Sequence, residues 1–216
     1  AHDIAFPEEV RTVGTGANPE FQTGTVRLGY TSLTTPGSVY DYDLATRDLR
    51  LRKRQPVLGE FDPSAYTSTR EWATAPDGVR VPVSVVHRVD TPLDGTAPAL
   101  LYGYGAYEHS VDPYFSIARL SLLDRGFVFA IAHVRGGGEL GRHWYEDGKL
   151  TAKKNTFTDF VAAAEHLVAR KYTSRDRLAG RGGILHGRRR LVRDRQARQG
   201  PRRGEGALAV LAAAAA

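Results

Sequence analysis

Between Pro98 and Gly183 the hydrophobic period switches repeatedly, and few folds satisfy such a pattern. "PALLYGY" is a short apolar run. "YFSIARLSLLDRG" has helical spacing and a Gly126 stop. "FVFAIAHV" is continuously apolar, as in a strand buried on both faces. "NTFTDFVAAAEHLVARKY" puts Phe157, Phe160, Val161, Ala164, Leu167 and Val168 on one helical stripe. Asn155 or Thr156 is its expected cap, with Asp159 in the first turn. "DRLAGRGG" reads as a further strand. Strand, helix, strand, helix, strand predicts an α/β fold with a parallel sheet covered on both faces and right-handed crossovers.

The upstream part reads as β. "TVRLGYTSLTTPGSVYDYDL" places β-branched and aromatic residues around a Pro36-Gly37 turn. Thr46-Arg47-Asp48 is a polar turn, and "LRLRKRQ" alternates like a half-exposed strand. Such strands suit a propeller blade or a sandwich, and about 60 residues is too little for either alone. After the link "VLGEFDPSAY", "TSTREWATA" and "VRVPVSVVHRV" flank Pro76-Asp77-Gly78, which predicts a hairpin. Pro82 cannot donate to a ladder and so predicts an edge position.

Composition narrows the function classes. The 216 residues allow one large domain or pieces of two. The absence of any Met points to a fragment, and "AHDIAFPEEV" is no signal peptide. No apolar run is long enough to span a membrane. With no Cys, disulfides, thiol catalysis and thiolate zinc sites are excluded, and a cytoplasmic location is expected. The net charge of +6 sits wholly in residues 184–216, whose eight Arg face only Asp194 and Glu205. The body is neutral, so a nucleic-acid function would rest on the tail alone.

Each short motif has a plain reading. "GGGELG" fits a dinucleotide loop in letters, but "RHWYEDGKLTAKKN" follows with no clear apolar stripe until Asn155, a loop long enough to break the βαβ unit; a tight turn at a strand's carboxyl end fits better. Open α/β sheets hold ligands at that end. The tyrosines of "LLYGYGAY" read first as packing, with a hydroxyl aimed into a cleft as the functional alternative. The seven His form no H-E-x-x-H zinc motif, and neither a metal nor a cofactor is expected. His133 reads as a satisfied core residue; Lys153-Lys154 and Glu146-Asp147 read as solvated loop charges. "RGGILHGRRRL" resembles an arginine-rich RNA-binding peptide, but it lacks interleaved aromatics, so disorder is expected for residues 184–216.

Taken together, "YTSLTTPGSVYDYD", "VLGEFDPSAY", "DGVRVPVSVVHR", "LLYGYGAY", "RLSLLDRGFVFAIAHVRGGGELGRHWYEDGKL" and "KKNTFTDF" resemble the prolyl oligopeptidase family of serine peptidases, and most of all its oligopeptidase B branch. The resemblance covers nearly all of residues 20–183. It implies a β-propeller capping an α/β-hydrolase domain and admitting short peptides. Residues 1–62 would be the end of the propeller, 63–183 the first half of the hydrolase domain, and 184–216 a tail outside the family pattern. It also implies acyl transfer by Ser, Asp and His, with Tyr104 as an oxyanion donor. Short peptides cleaved after Arg or Lys are the implied substrates, with prolyl specificity as the alternative. No membrane or specific protein partner is implied.

The family continues after this strand as Gly-Gly-Ser-x-Gly-Gly. Here Gly182-Gly183 is followed by Ile184-Leu185-His186, so an isoleucine, which cannot attack a carbonyl, takes the nucleophile position. The resemblance places the triad Asp and His beyond this chain. The switch to Arg, Gly and Ala looks like an out-of-frame reading of a GC-rich gene; a mis-assigned C-terminus or a truncation would look the same. The chain by itself is expected to be inactive. A non-catalytic binding module, or an RNA-binding tail, is the competing reading.

Overall fold

The computed structural model describes residues 2–182. They form two sheets of opposite character. The first is an antiparallel meander of β1 (Arg11–Thr15), β2 (Thr25–Ser32), β3 (Ser38–Asp43) and β4 (Leu49–Arg54), hydrogen-bonded in chain order. The turns fall at Pro36-Gly37 and at Thr46–Asp48, where the sequence places them. Strand β1 was not foreseen, since its "RTVGT" is short and carries little apolar signal.

The second sheet has the order β5-β6-β8-β7-β9. Strands β5 (Tyr66–Thr74) and β6 (Arg80–Arg88) are the hairpin expected around Pro76-Asp77-Gly78. Strands β7 (Ala99–Gly103), β8 (Val128–Ala132) and β9 (Leu178–Gly182) are mutually parallel, and β6 joins them antiparallel through β8. The sheet is therefore mixed rather than purely parallel.

Pro82 corrects one expectation, because β6 is interior, between β5 and β8. The backbone N–H of His133 donates to Pro82 O at 3.0 Å. Proline has no N–H to return that bond. Instead the Trp144 indole N–H donates to His133 O at 3.0 Å. A side chain thus takes the bond that proline cannot make, which lets proline sit off the edge.

Burial follows the strand period. Val81, Val83, Val85, Leu101, Val128 and Ala130 face Phe160, Ala163 and Leu167 of helix α3 (Lys154–Ala169). Val86, Phe129 and Ile131 face Leu120 and Leu123 of helix α1 (Ile117–Leu123), together with Val10 and Leu33 from the first part of the chain. All five residues of β8 are buried, as its unbroken apolar run requires. The covering of both faces is as expected, although part of one cover comes from outside the α/β segment.

Helix α3 starts earlier than its apolar stripe suggests. Its N-cap is Lys153, without a side-chain cap bond. The Asn155 amide donates instead to Asp147 O at 2.9 Å, and Thr156 Oγ1 donates to Arg135 O at 2.6 Å. Neither acts as the cap. Asp159 lies beyond the first turn and is fully buried. Among the described residues no helix is long and apolar enough to cross a membrane.

Candidate active site

The parallel strands β7, β8 and β9 all point the same way, and their carboxyl ends form one rim. Gly103 of β7 stands opposite Gly182 of β9, so both strands leave the sheet level with each other. Strand β7 leads into Tyr104. Strand β8 leads into the glycine loop 134–141, which includes "GGGELG"; a helix, α2 (Arg142–Glu146), does open at Gly141, but it is five residues long and the long helix α3 begins only at Lys154. The plain reading of that motif holds.

Close backbone approach explains two of the glycines. A Cβ on Gly136 (φ 99°) would stand 2.2 Å from Gly105 O. A Cβ on Gly105 (φ 62°) would stand 2.5 Å from Val134 Cγ2. The two loops interlock, Gly136 against the Gly105 backbone and Gly105 against the Val134 and Thr156 side chains, which no larger residue permits. Glu108 N donates to Gly136 O at 3.2 Å across the same junction.

A cavity of about 340 Å³ opens on this rim. Tyr104, Tyr107, Tyr145, Leu150, Lys149 and Lys153 contribute to its lining. Tyr104 is half-buried, with its ring edge-to-face on His109 at 5.4 Å. Its hydroxyl bonds to no group among the described residues and so is free to donate to a ligand in the cavity. Its ring also packs against the core cluster that holds Val86, Phe129 and Ile131. Lys153 corrects an expectation, since it is not a solvated loop charge: its ammonium donates to Gly105 O, and burial holds it below the ordinary lysine range. Glu146 pairs with Arg142 and Lys149.

Beneath the rim lies a buried charge network that sequence spacing did not reveal. Arg135 Nε and Nη2 donate to Asp159 at 2.9 and 2.6 Å, and Arg135 N adds a bond of 3.0 Å. Nη1 reaches Asp77 in the hairpin turn at 2.7 Å. The Asp159 bond first, then Asp77, raises the guanidinium above its usual range against the pull of burial. The network ties the glycine loop to α3 and to the β5–β6 turn. It could have been suspected from an Asp inside an apolar helical stripe.

His133 is buried, and its Nε2 lies 2.7 Å from Ser84 Oγ. Its Nδ1 has no hydrogen-bond partner and stands 3.6 Å from Glu139 Oε1. The core reading is thus met on one nitrogen only. The Ser-His-Glu sequence of contacts imitates a triad, but Ser84 is 0% exposed and no substrate reaches it. The nucleophile position, Ile184, and the tail 184–216, for which disorder is expected, lie outside the described residues. No cluster of three His, Cys, Asp or Glu able to hold a metal occurs among the described residues.

Comparison with known proteins agrees with this architecture. The family model described as "Prolyl oligopeptidase family" matches residues 113–183. Dipeptidyl aminopeptidase BI of Pseudoxanthomonas mexicana is 49% identical over 185 residues, covering 85% of this chain and 25% of the relative. Protease 2 of Moraxella lacunata is 44% identical over 184 residues, covering 85% of this chain and 27% of the relative. The solved oligopeptidase B from Leishmania major superposes with a TM-score of 0.77 at 43% identity, over 85% of this chain and 26% of that one. The chain thus spans about a quarter of the length of these relatives. Shared sequence over most of the chain and a shared fold lead to one conclusion: the chain belongs to the prolyl oligopeptidase family of serine peptidases.

Proposed function

We propose that residues 63–182 are the oxyanion-donor half of a serine oligopeptidase site of the oligopeptidase B type. In this reading the four-stranded sheet is the end of a β-propeller, within residues 1–62. The five-stranded sheet opens an α/β-hydrolase domain. Peptides are the substrate class, with cleavage after Arg or Lys. The observation that carries the reading is the shared exit of β7 and β9: Gly103 and Gly182 stand opposite each other, so Tyr104 adjoins the point where the family's nucleophile turn begins.

The chemistry follows from that placement. A serine hydroxyl attacking a peptide carbonyl leaves negative charge on the carbonyl oxygen. A phenol O–H at Tyr104 donates to that oxygen as its charge grows. A donor of this kind stabilises the transition state by ~3 kcal/mol. Here residue 184 is Ile, whose side chain has no hydroxyl to attack with. The 216-residue chain therefore supplies a donor without a nucleophile and hydrolyses no peptide.

Two measurements test the two halves of this statement. A fluorophosphonate probe applied to the purified chain labels nothing; labelling at any residue overturns the inactive half. A chimera tests the other half, with residues 1–182 replacing the matching segment of the Moraxella lacunata Protease 2. It hydrolyses a basic dipeptide reporter, and Tyr104→Phe lowers its kcat by roughly 10²-fold with little change in KM. A Tyr104→Phe chimera with full kcat removes Tyr104 from the chemistry.

A further inference from the structure

Lys153 is placed against the usual preference of its side chain. It ends a 3-10 turn, Leu150–Lys153, and with φ −56° and ψ −24° runs straight into α3, its side chain capping nothing. Its ammonium is half-buried without a carboxylate partner among the described residues. Local conflicts of this sort collect where function requires them. What the lysine gains instead is a bond to Gly105 O, one residue past Tyr104.

The segment it touches needs holding. Gly105, Tyr107 and Glu108 have φ of 62°, 57° and 58°, so two non-glycine residues in succession are left-handed. Such a backbone persists only when its surroundings over-determine it. Its far end is secured by Gly136 O on Glu108 N and by Arg142 Nη1 on the Glu108 carboxylate at 2.6 Å. Near Tyr104 the securing group is Lys153.

We propose that Lys153 is a positioning residue, its ammonium fixing the Gly105 carbonyl and with it the bend that presents the Tyr104 hydroxyl to the cavity. The proposal rests on the reading of Tyr104 as the oxyanion donor. Lys153 itself touches no reacting atom. It acts through the loop, in a pocket it shares with Tyr104.

The test uses the full 216-residue chain, isotope-labelled for NMR. In the unaltered chain the Lys153 ammonium protons exchange roughly tenfold more slowly than those of exposed Lys154, and the Lys153 titration midpoint lies below the ordinary lysine range. Lys153→Met abolishes the Tyr104–His109 ring contact and shifts the Gly105 amide; Lys153→Arg restores both. Equal exchange for the two lysines, or a Lys153→Met chain with Tyr104–His109 contact and Gly105 shift intact, overturns the proposal. The exchange measurement needs no variant, so it decides even if Lys153→Met does not fold. A fully active Tyr104→Phe chimera beside a slow-exchanging Lys153 would sink the donor reading and leave the anchor standing.

Discussion

Arg27 meets Asp41 through Nε at 2.8 Å and Nη2 at 3.1 Å, while Arg135 meets Asp159 through Nε at 2.9 Å and Nη2 at 2.6 Å. The first pair lies across β2 and β3, with the Arg27 side chain 51% exposed; in the second the side chains are 4% and 0% exposed. The bonds are alike and the solvent differs. Water screens the first pair and would solvate either partner alone. In the second pair water replaces neither partner: Asp159 is fully buried, and Arg135 without it would keep only Asp77 at 2.7 Å. The same contrast runs through the two sheets: β4 exposes five of its six residues, whereas β8 buries all five.

The strongest way to break this comparison is to remove one acid from each pair. Asp159→Ala removes three of the bonds to Arg135 and leaves it only the part-exposed Asp77, which lowers unfolding free energy by about 3 kcal/mol. Asp41→Ala leaves the denaturation midpoint where it was. Denaturant unfolding of both variants provides the check, and equal losses would mean that burial does not govern these pairs. Since Arg135 also fixes the glycine loop, Asp159→Ala should disturb the Gly105–Gly136 junction as well.

The same contrast can be sharpened with apolar residues. Leu101 is fully buried in β7, and Leu51 in β4 is 48% exposed. Leu101→Ala costs about 2–5 kcal/mol through lost transfer energy and a cavity. Leu51→Ala stays within about 0.5 kcal/mol. A comparable loss at both would show that the outer face of the first sheet is covered in solution.

How much of this was legible in the letters depends on how far each signal travels along the chain. The strands β6 to β9 and helix α3 announce themselves through hydrophobic period, which is local. Tyr104 could be placed at a strand's end, but only the β7–β9 register sets that end level with the end of β9. Lys153 reads as a loop charge because its partner, Gly105, is 48 residues away. Arg135–Asp159 spans 24 residues and Ser84–His133 spans 49, so spacing carries no trace of either. Pro82 misled for the opposite reason: a sound local rule was overridden by Trp144, a distant donor.

His133 offers the smallest and most specific effect. Its ring is buried with Nδ1 unpartnered, and burial holds its pKa below the usual 6.5. The facing groups pull in different directions: Glu139 and Asp112 favour the charged form, Arg70 opposes it, and Ser84 occupies Nε2. In the unfolded chain the ring takes up a proton as pH falls through 6.5; in the folded chain it does so only at lower pH. The unfolded state thus binds more protons in that window, and stability is lost as pH falls below 6.5 until the folded ring titrates too. Above that window His133 contributes no pH dependence. His133→Gln keeps a donor for Ser84 and cannot titrate, so the wild-type minus variant difference in unfolding free energy isolates this ring from the other histidines. The difference should fall steadily on acidification from neutrality, and a flat one would mean that Glu139 closes its 3.6 Å gap and charges the ring in the folded state.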